Sequence, residues 1–63
     1  MMKEESEILN KIDKLLKLNN ISTVEKKRLI QIENHVLILI MMPDNDDLQF
    51  IKELFKRFNL DFS

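Results

Sequence analysis

The sequence has no cysteine, glycine, alanine, tryptophan or tyrosine, and it has a single proline among its 63 residues. Without cysteine, the chain forms no disulfide and has no thiolate nucleophile, which is consistent with a reducing compartment. Without glycine, phosphate-binding glycine loops are excluded, and only Asn and Asp remain to favour the positive φ angles of tight turns. Because a helical bundle needs such turns least, these absences favour an all-α fold.

An excess of charge of either sign is also missing. Ten basic residues face eleven acidic ones, for a formal net charge of −1. This balance gives no overall attraction to nucleic acid or to an anionic membrane, so such a role must depend on a local patch. The longest apolar run, residues 36–42, is far shorter than the about 20 residues that span a bilayer as a helix, so we expect no membrane insertion.

Several features indicate where such a chain works. The charged N-terminal stretch is typical of a helix rather than of a signal peptide, so we expect a cytoplasmic protein. The bias toward Ile, Lys, Asn, Leu and Phe is typical of AT-rich coding DNA, as in a low-GC bacterium or phage.

The apolar residues that are present are unusually bulky. Hydrophobic residues make up 44 % of the chain, and since alanine is absent they are Ile, Leu, Val, Met and Phe. Sixty-three residues form a single domain, and a domain of this size buries only about 60 % of the surface that its unfolded chain exposes. We therefore expect homo-oligomerisation to complete the core.

Two polar breaks, Asn19-Asn20 and residues 43–45, divide residues 1–63 into three predicted helices at about 3–18, 23–42 and 46–60. The short connections predict an up-down-up arrangement. Ser22 and Glu25 have the spacing of a capping box for the second helix. Asn19-Asn20 is expected to close the first helix, because Asn tolerates the left-handed conformation. The third helix carries the most regular apolar stripe, at Leu48, Ile51, Phe55, Phe58 and Phe62.

The apolar run at 36–42 is open to two interpretations. Its length and its Val and Ile content suit a strand, which would have to pair with its copy in another subunit because the chain has no second strand candidate. The capping box, the heptad-like spacing of Leu29, Ile32, Val36 and Leu39, and the lack of glycine favour a helix.

The outer face of the second helix changes from polar to apolar along its length. At about 100° per residue, Lys27, Gln31 and Asn34 lie on one solvent-facing line that continues into Ile38, Met41 and Met42. The third helix could cover this end, aided by Phe50. We favour a contact with a partner copy instead, and the predicted association residues are those at the end of the line and on the third helix: Ile38, Met41, Met42 and Phe50.

Catalytic and metal chemistry have little support. The single histidine, His35, has no cysteine, tyrosine or suitably placed serine as a partner, so we expect no enzyme. Asp44, Asp46 and Asp47 resemble the start of a calcium loop, but Gln49 and Phe55 stand where that loop needs Gly and Glu. Helix capping explains these acids, and we expect no metal and no cofactor.

Two charged features of the second helix have no obvious structural reason. Lys26, Lys27 and Arg28 place three cations in its first turns, where the helix dipole disfavours them and where free amides could help to hold an acidic protein segment or a phosphate. Glu33 falls between the heptad-like stripe and a second apolar stripe formed by Ile30, Leu37 and Met41, so it either pairs with a cation of a neighbouring helix or subunit or faces a wet groove.

The sequence predicts a small non-enzymatic regulatory or adaptor protein that binds another protein, as a homodimer. The alternative is a dimeric nucleic-acid-binding regulator that uses the basic patch of Lys26, Lys27 and Arg28, joined by Lys52, Lys56 and Arg57. The sequence names neither the partner nor the regulated process.

Overall fold

The computed structural model describes residues 3–62 and shows three α-helices, with no strand in that range. Helix α1 spans Lys3–Leu16, α2 spans Thr23–Leu39 and α3 spans Asn45–Arg57. The all-α prediction with three helices is confirmed. The strand alternative for residues 36–42 is wrong, because residues 36–39 belong to the last turn of α2 and residues 40–44 are irregular.

The core draws three buried side chains from each helix, with one more from the connection between α1 and α2. Helical spacing puts the contributors of each helix on one face. They are Ile8, Ile12 and Leu15 of α1, Leu29, Ile32 and Val36 of α2, Ile51, Leu54 and Phe55 of α3, and Ile21 of the connection. Glu5 in the first turn of α1 is also buried, which its charge did not predict.

Helix α1 packs against both other helices, and two ion pairs join α2 to α3. Arg57 Nη1 lies 2.6 Å from Glu25 Oε2, and Arg28 Nη2 lies 3.4 Å from Asp47 Oδ1. Glu25 and Arg28 are about one turn apart, whereas Asp47 and Arg57 lie about 15 Å apart along α3. Helix α3 therefore crosses the N-terminal half of α2 and does not extend over the last turns of α2.

The capping box at the start of α2 is confirmed. The Glu25 amide donates to Ser22 Oγ at 3.2 Å, and the Ser22 amide donates to Glu25 Oε1 at 3.3 Å. At α3 the acidic cap is confirmed too, because the Asp47 amide donates to Asp44 Oδ1 at 2.9 Å. Both starts therefore follow from side chains that satisfy amides lacking a helical partner.

Helix α2 ends at Leu39, so the predicted end at Met42 is wrong by three residues. Pro43 has no amide hydrogen, its ring clashes with the Leu39 carbonyl of a continuing helix, and it disfavours helical backbone at Met42. The helix closes instead at Ile40, whose φ of 50° and ψ of 49° are left-handed. This conformation costs a non-glycine residue roughly 1–2 kcal/mol.

The other two ends also differ from the predicted bounds. Helix α1 stops at Leu16 rather than Leu18, and neither Asn19 nor Asn20 has a positive φ, so the predicted left-handed closure there is wrong. A turn follows instead, in which the Leu18 amide donates to the Leu15 carbonyl at 3.1 Å. Short-range bonds of this kind satisfy the last carbonyls without a left-handed residue.

Helix α3 begins at Asn45, one residue before the predicted start at 46, and ends at Arg57, three residues before the predicted end at 60. Asn59 has a φ of 56°, the Leu60 amide donates to the Phe55 carbonyl at 2.8 Å, and the Asn59 amide donates to the Lys56 carbonyl at 3.2 Å. This is a Schellman motif in which asparagine takes the place usually held by glycine. In a chain without glycine, the left-handed position at a helix end is thus taken by Asn59 after α3 and by the strained Ile40 after α2.

Candidate interaction surface

Six consecutive apolar residues, Leu37–Met42, are exposed at the end of α2 and in the segment that follows. Their exposed fractions lie between 45 % for Met42 and 74 % for Ile38. Single apolar residues on a surface are ordinary, whereas large contiguous apolar patches are typical of binding surfaces. We call residues 37–42 the apolar segment.

The apolar segment is exposed for a structural reason. Its first three residues lie beyond the region where α3 crosses α2, and its last three begin at the left-handed Ile40. A continuous helix would have turned part of the run toward the core, but the break forced by Pro43 turns the chain away.

A pocket of about 220 Å³ lies between α2 and the segment after it. This volume is below the 300–1,000 Å³ that holds a drug-sized ligand, so it suits one large side chain of a partner. His35, Asp44 and Asp47 contribute polar groups to a lining that is otherwise apolar. The complete lining is Ile32, His35, Leu39, Met41, Met42, Pro43, Asp44 and Asp47.

The surroundings of the apolar segment are acidic. No Lys or Arg occurs between Arg28 and Lys52, whereas this stretch contains four acids, Glu33, Asp44, Asp46 and Asp47. Asp47 is engaged with Arg28, and Asp44 also caps α3. Any binding surface here is therefore an apolar area beside carboxylates.

The structure separates the four predicted association residues into two groups. Ile38, Met41 and Met42 are exposed, and the two methionines line the same pocket. Phe50 is partly buried against the core, and the Arg28 guanidinium lies 4.2 Å from its ring centroid. Phe50 is therefore covered by this chain itself.

The three residues of the predicted basic patch are also placed differently. Lys27 is exposed and Lys26 is partly buried. Arg28 lies over Phe50 and pairs with Asp47, so its charge already serves the contact between α2 and α3. Arg57, from the predicted extension of the patch, pairs with Glu25, and Lys52 lies over Phe62.

The electrostatic environment of Glu25 is the most distinctive within residues 3–62. The hydrogen bond from Arg57, aided by hydrogen bonds from Ser22, holds the pKa of the Glu25 carboxyl below its ordinary value, although partial burial opposes this effect. This carboxylate fastens the start of α2 to the end of α3. It is thus structural and lies away from the apolar segment.

The remaining predictions concern His35, metal binding, membrane insertion and Glu33. His35 is exposed at the pocket, and residues 3–62 hold no group of three His, Cys, Asp or Glu side chains that could bind a metal ion. Within the same range, no helix combines the length and the apolar character needed to cross a membrane. Glu33 is partly buried and takes part in none of the ion pairs of residues 3–62.

Sequence reasoning missed the exposure of Val24, Leu37, Leu39 and Ile40. Periodicity alone assigned Leu39 to the inner stripe of α2, and the signal that could have corrected this is Pro43, four residues later. Comparison with known protein families, with curated proteins and with solved structures finds no match for this chain. Functional inference therefore has to start from the surface itself.

Proposed function

We propose that this chain is a small, non-enzymatic regulatory or adaptor protein that binds another protein through the apolar segment and works as a homodimer. The observation that carries this proposal is the contiguous exposure of residues 37–42 beside an apolar pocket. The proposal includes a cytoplasmic location and an up-down-up order of the helices, both of which follow from the sequence.

The energetics support a protein partner. Burying a Leu, Ile or Met side chain completely is worth about 1.5–3 kcal/mol. Covering six such residues that are about half exposed therefore yields on the order of 5–9 kcal/mol before costs. Because association costs about 4–15 kcal/mol, the partner must bring apolar surface of its own to reach micromolar affinity.

The charges define the partner further. Met41 and Met42 line a pocket that also contains Asp44 and Asp47, so a large apolar side chain flanked by Lys or Arg fits it best. Methionine adapts its shape to different neighbours, which suits a binding surface of this kind.

Affinity capture from the host lysate tests the proposal when it is compared between matched variants. The test variant is Met41→Asp with Met42→Asp, which places two charges on the binding surface. The control is Asn10→Asp with Asn20→Asp, which adds the same charges at exposed positions elsewhere. We expect a protein that is captured by the wild type and by the control but not by the test variant, and that binds again when purified.

Capture that is equal for all three proteins, or a captured protein that shows no binding once purified, would contradict the role of the apolar segment. Circular dichroism of each variant establishes that the helices are intact. Sedimentation equilibrium tests the homodimer separately, and a monomer throughout the micromolar range would remove that part of the proposal.

A further inference from the structure

The two most exposed large apolar side chains lie at opposite ends of α2. Val24 is 78 % exposed and Ile38 is 74 % exposed. They are 14 residues apart, just under four turns, and therefore lie on the same face at a separation of about 21 Å. Gln31 lies halfway between them. Ile30 and Leu37, which are also exposed, flank this line on one side.

We call this surface the outer face of α2. It consists of seven exposed residues: Val24, Lys27, Ile30, Gln31, Asn34, Leu37 and Ile38. Four of these seven residues are apolar. A helix whose outer face is this apolar is normally covered by another element.

The charges of α2 are placed against its own dipole. Lys26 and Lys27 lie in its first turns, where cations are disfavoured, and its last turn has no basic residue. In an antiparallel pair of α2 helices, the cations at the start of each helix lie beside the end of the other helix, which has no basic residue of its own. The Lys27 side chain leans toward its own N-terminus, which in that arrangement lies beside the carbonyl end of the other helix.

We infer that the outer face of α2 binds a second copy of this chain, with the two α2 helices antiparallel and the twofold axis passing beside Gln31. Val24 then packs on the partner's Ile38, Ile38 packs on the partner's Val24, and the two Ile30 side chains meet near the axis. Such an interface is isologous, with one surface serving both copies. A parallel pair is disfavoured because it sets Lys27 beside the partner's Lys27 and leaves the dipoles uncorrected.

This inference rests on the homodimer of the proposed function and gives it a geometry. It assigns Leu37 and Ile38 of the apolar segment to self-association and leaves residues 39–42, three of which line the pocket, for the other protein. The two binding events therefore occupy neighbouring but separate surfaces of the same chain.

Because the chain has no cysteine, single introduced cysteines report the geometry directly. Gln31→Cys places two thiols beside each other at the axis, whereas Gln49→Cys places an exposed thiol on α3 as the control. With a short bis-maleimide, we expect Gln31→Cys to form a covalent dimer at least about tenfold faster than the control, as a preformed contact raises the local thiol concentration.

The register is tested by mixing Val24→Cys and Ile38→Cys, with a mass tag on one of them. We expect the mixed dimer to be several times more abundant than the 1:2:1 proportion that random pairing gives, because each thiol faces the other position across the interface. A 1:2:1 proportion of the three products would overturn this register.

The outcomes separate the inference from the proposed function. If sedimentation shows a dimer but Gln31→Cys is linked no faster than Gln49→Cys, the geometry is wrong and the homodimer stands. If the wild type is a monomer up to hundreds of micromolar, the inference and the homodimer both fail, while capture through Met41 and Met42 is judged on its own experiment.

A charge variant provides a second measurement that needs no cross-linking. Lys27→Glu should weaken dimerisation by roughly threefold to tenfold at low salt, and by less at high salt, because the effect is electrostatic. Lys14→Glu, an equal change at an exposed position of α1, is the control. Dimerisation that is weakened equally by both variants would contradict the antiparallel pairing.

Discussion

Two regions of this molecule treat large apolar side chains in opposite ways. In the region around α3, Phe55 is buried and each of the other phenylalanines lies under a basic side chain. At the end of α2, six large aliphatic residues are instead between 45 % and 74 % exposed. The cation-covered rings are Phe50 under Arg28 at 4.2 Å, Phe58 under Arg57 at 5.9 Å, and Phe62 under Lys11 at 4.8 Å and Lys52 at 5.6 Å.

The comparison shows that basic side chains cover partly exposed apolar rings in the region around α3. Long basic side chains lay their methylene groups on apolar surface and keep their charge in water. All ten of the basic residues lie outside residues 29–51, so the apolar segment has no basic residue close to it in the sequence. The segment stays exposed, whereas the rings of Phe50, Phe58 and Phe62 each lie under a basic side chain.

The largest expected effect comes from breaking the covered region at its centre. Phe55→Ala removes a fully buried ring that also meets the Phe62 ring edge-on, with centroids 5.4 Å apart. We expect a loss of about 3–5 kcal/mol in the free energy of unfolding. A domain of this size has on the order of 3–9 kcal/mol in total, so urea denaturation followed by circular dichroism should show partial or complete unfolding.

The exposed region supplies the matched control for this experiment. Ile38→Ala removes a side chain of similar size that is 74 % exposed. At concentrations where the chain is monomeric, we expect an unchanged or slightly higher stability, because alanine favours helix and little burial is lost. A loss of several kcal/mol for Ile38→Ala would show that the end of α2 is packed within the monomer.

Much of the covered region could be predicted from the sequence. The apolar spacing of Leu48, Ile51 and Phe55 predicts α3, and the capping-box pair Ser22 and Glu25 predicts the start of α2. Both predictions succeed because periodicity and capping are local properties of the sequence. The ends were harder, since a helix end depends on which residue accepts a positive φ. Asn59 accepts it as expected for its type, whereas Ile40 does so against its preference.

The exposed region could be predicted only in outline. The apolar run indicated a surface in need of cover, and Ile38, Met41 and Met42 are exposed as that interpretation requires. Phe50 was assigned to the same surface because no local signal tells that Arg28, 22 residues earlier in the chain, lies over its ring. Contacts between distant residues are set by how the helices cross, which a single sequence does not specify.

The second prediction concerns the backbone strain at Ile40, which lies in the exposed region. Ile40→Gly should raise the free energy of unfolding by about 0.5–1 kcal/mol, since relief of a left-handed β-branched residue exceeds the entropy that glycine adds to the unfolded chain. Ile38→Gly is the same substitution two residues earlier, inside the helix, and should lower stability by about 1 kcal/mol. Thermal melts that fall equally for both variants would contradict a left-handed Ile40.

The third prediction tests the covering of Phe50 by Arg28. A double-mutant cycle of Arg28→Ala and Phe50→Ala should give a coupling free energy of about 0.5–1 kcal/mol, the range of a cation over an aromatic ring near the surface. Arg28→Ala and Phe58→Ala form the control cycle, because Phe58 is covered by Arg57 instead. If the first cycle shows no more coupling than the second, the basic side chains do not shield the rings in the way that the comparison supposes.

The smallest effect is the pH dependence that Glu25 adds to the covered region. Its carboxyl has a pKa below the ordinary value of 4.5, chiefly because Arg57 donates to it. A carboxylate with a lowered folded-state pKa stabilises the fold fully above the unfolded-state pKa, and this contribution is lost as the pH falls through the folded-state pKa. The stability difference between the wild type and Glu25→Gln should therefore be constant above about pH 5.5 and should shrink below about pH 4.5. Glu53→Gln, at an exposed glutamate of α3, gives the baseline for removing a carboxylate that takes part in none of the ion pairs of residues 3–62. The difference stays small because the ion pair is partly open to solvent, with 57 % of the Arg57 side chain exposed. A difference that persists unchanged to pH 3 would mean that Glu25 acts through its neutral hydrogen bonds to Ser22 and that Arg57 serves mainly to cover Phe58.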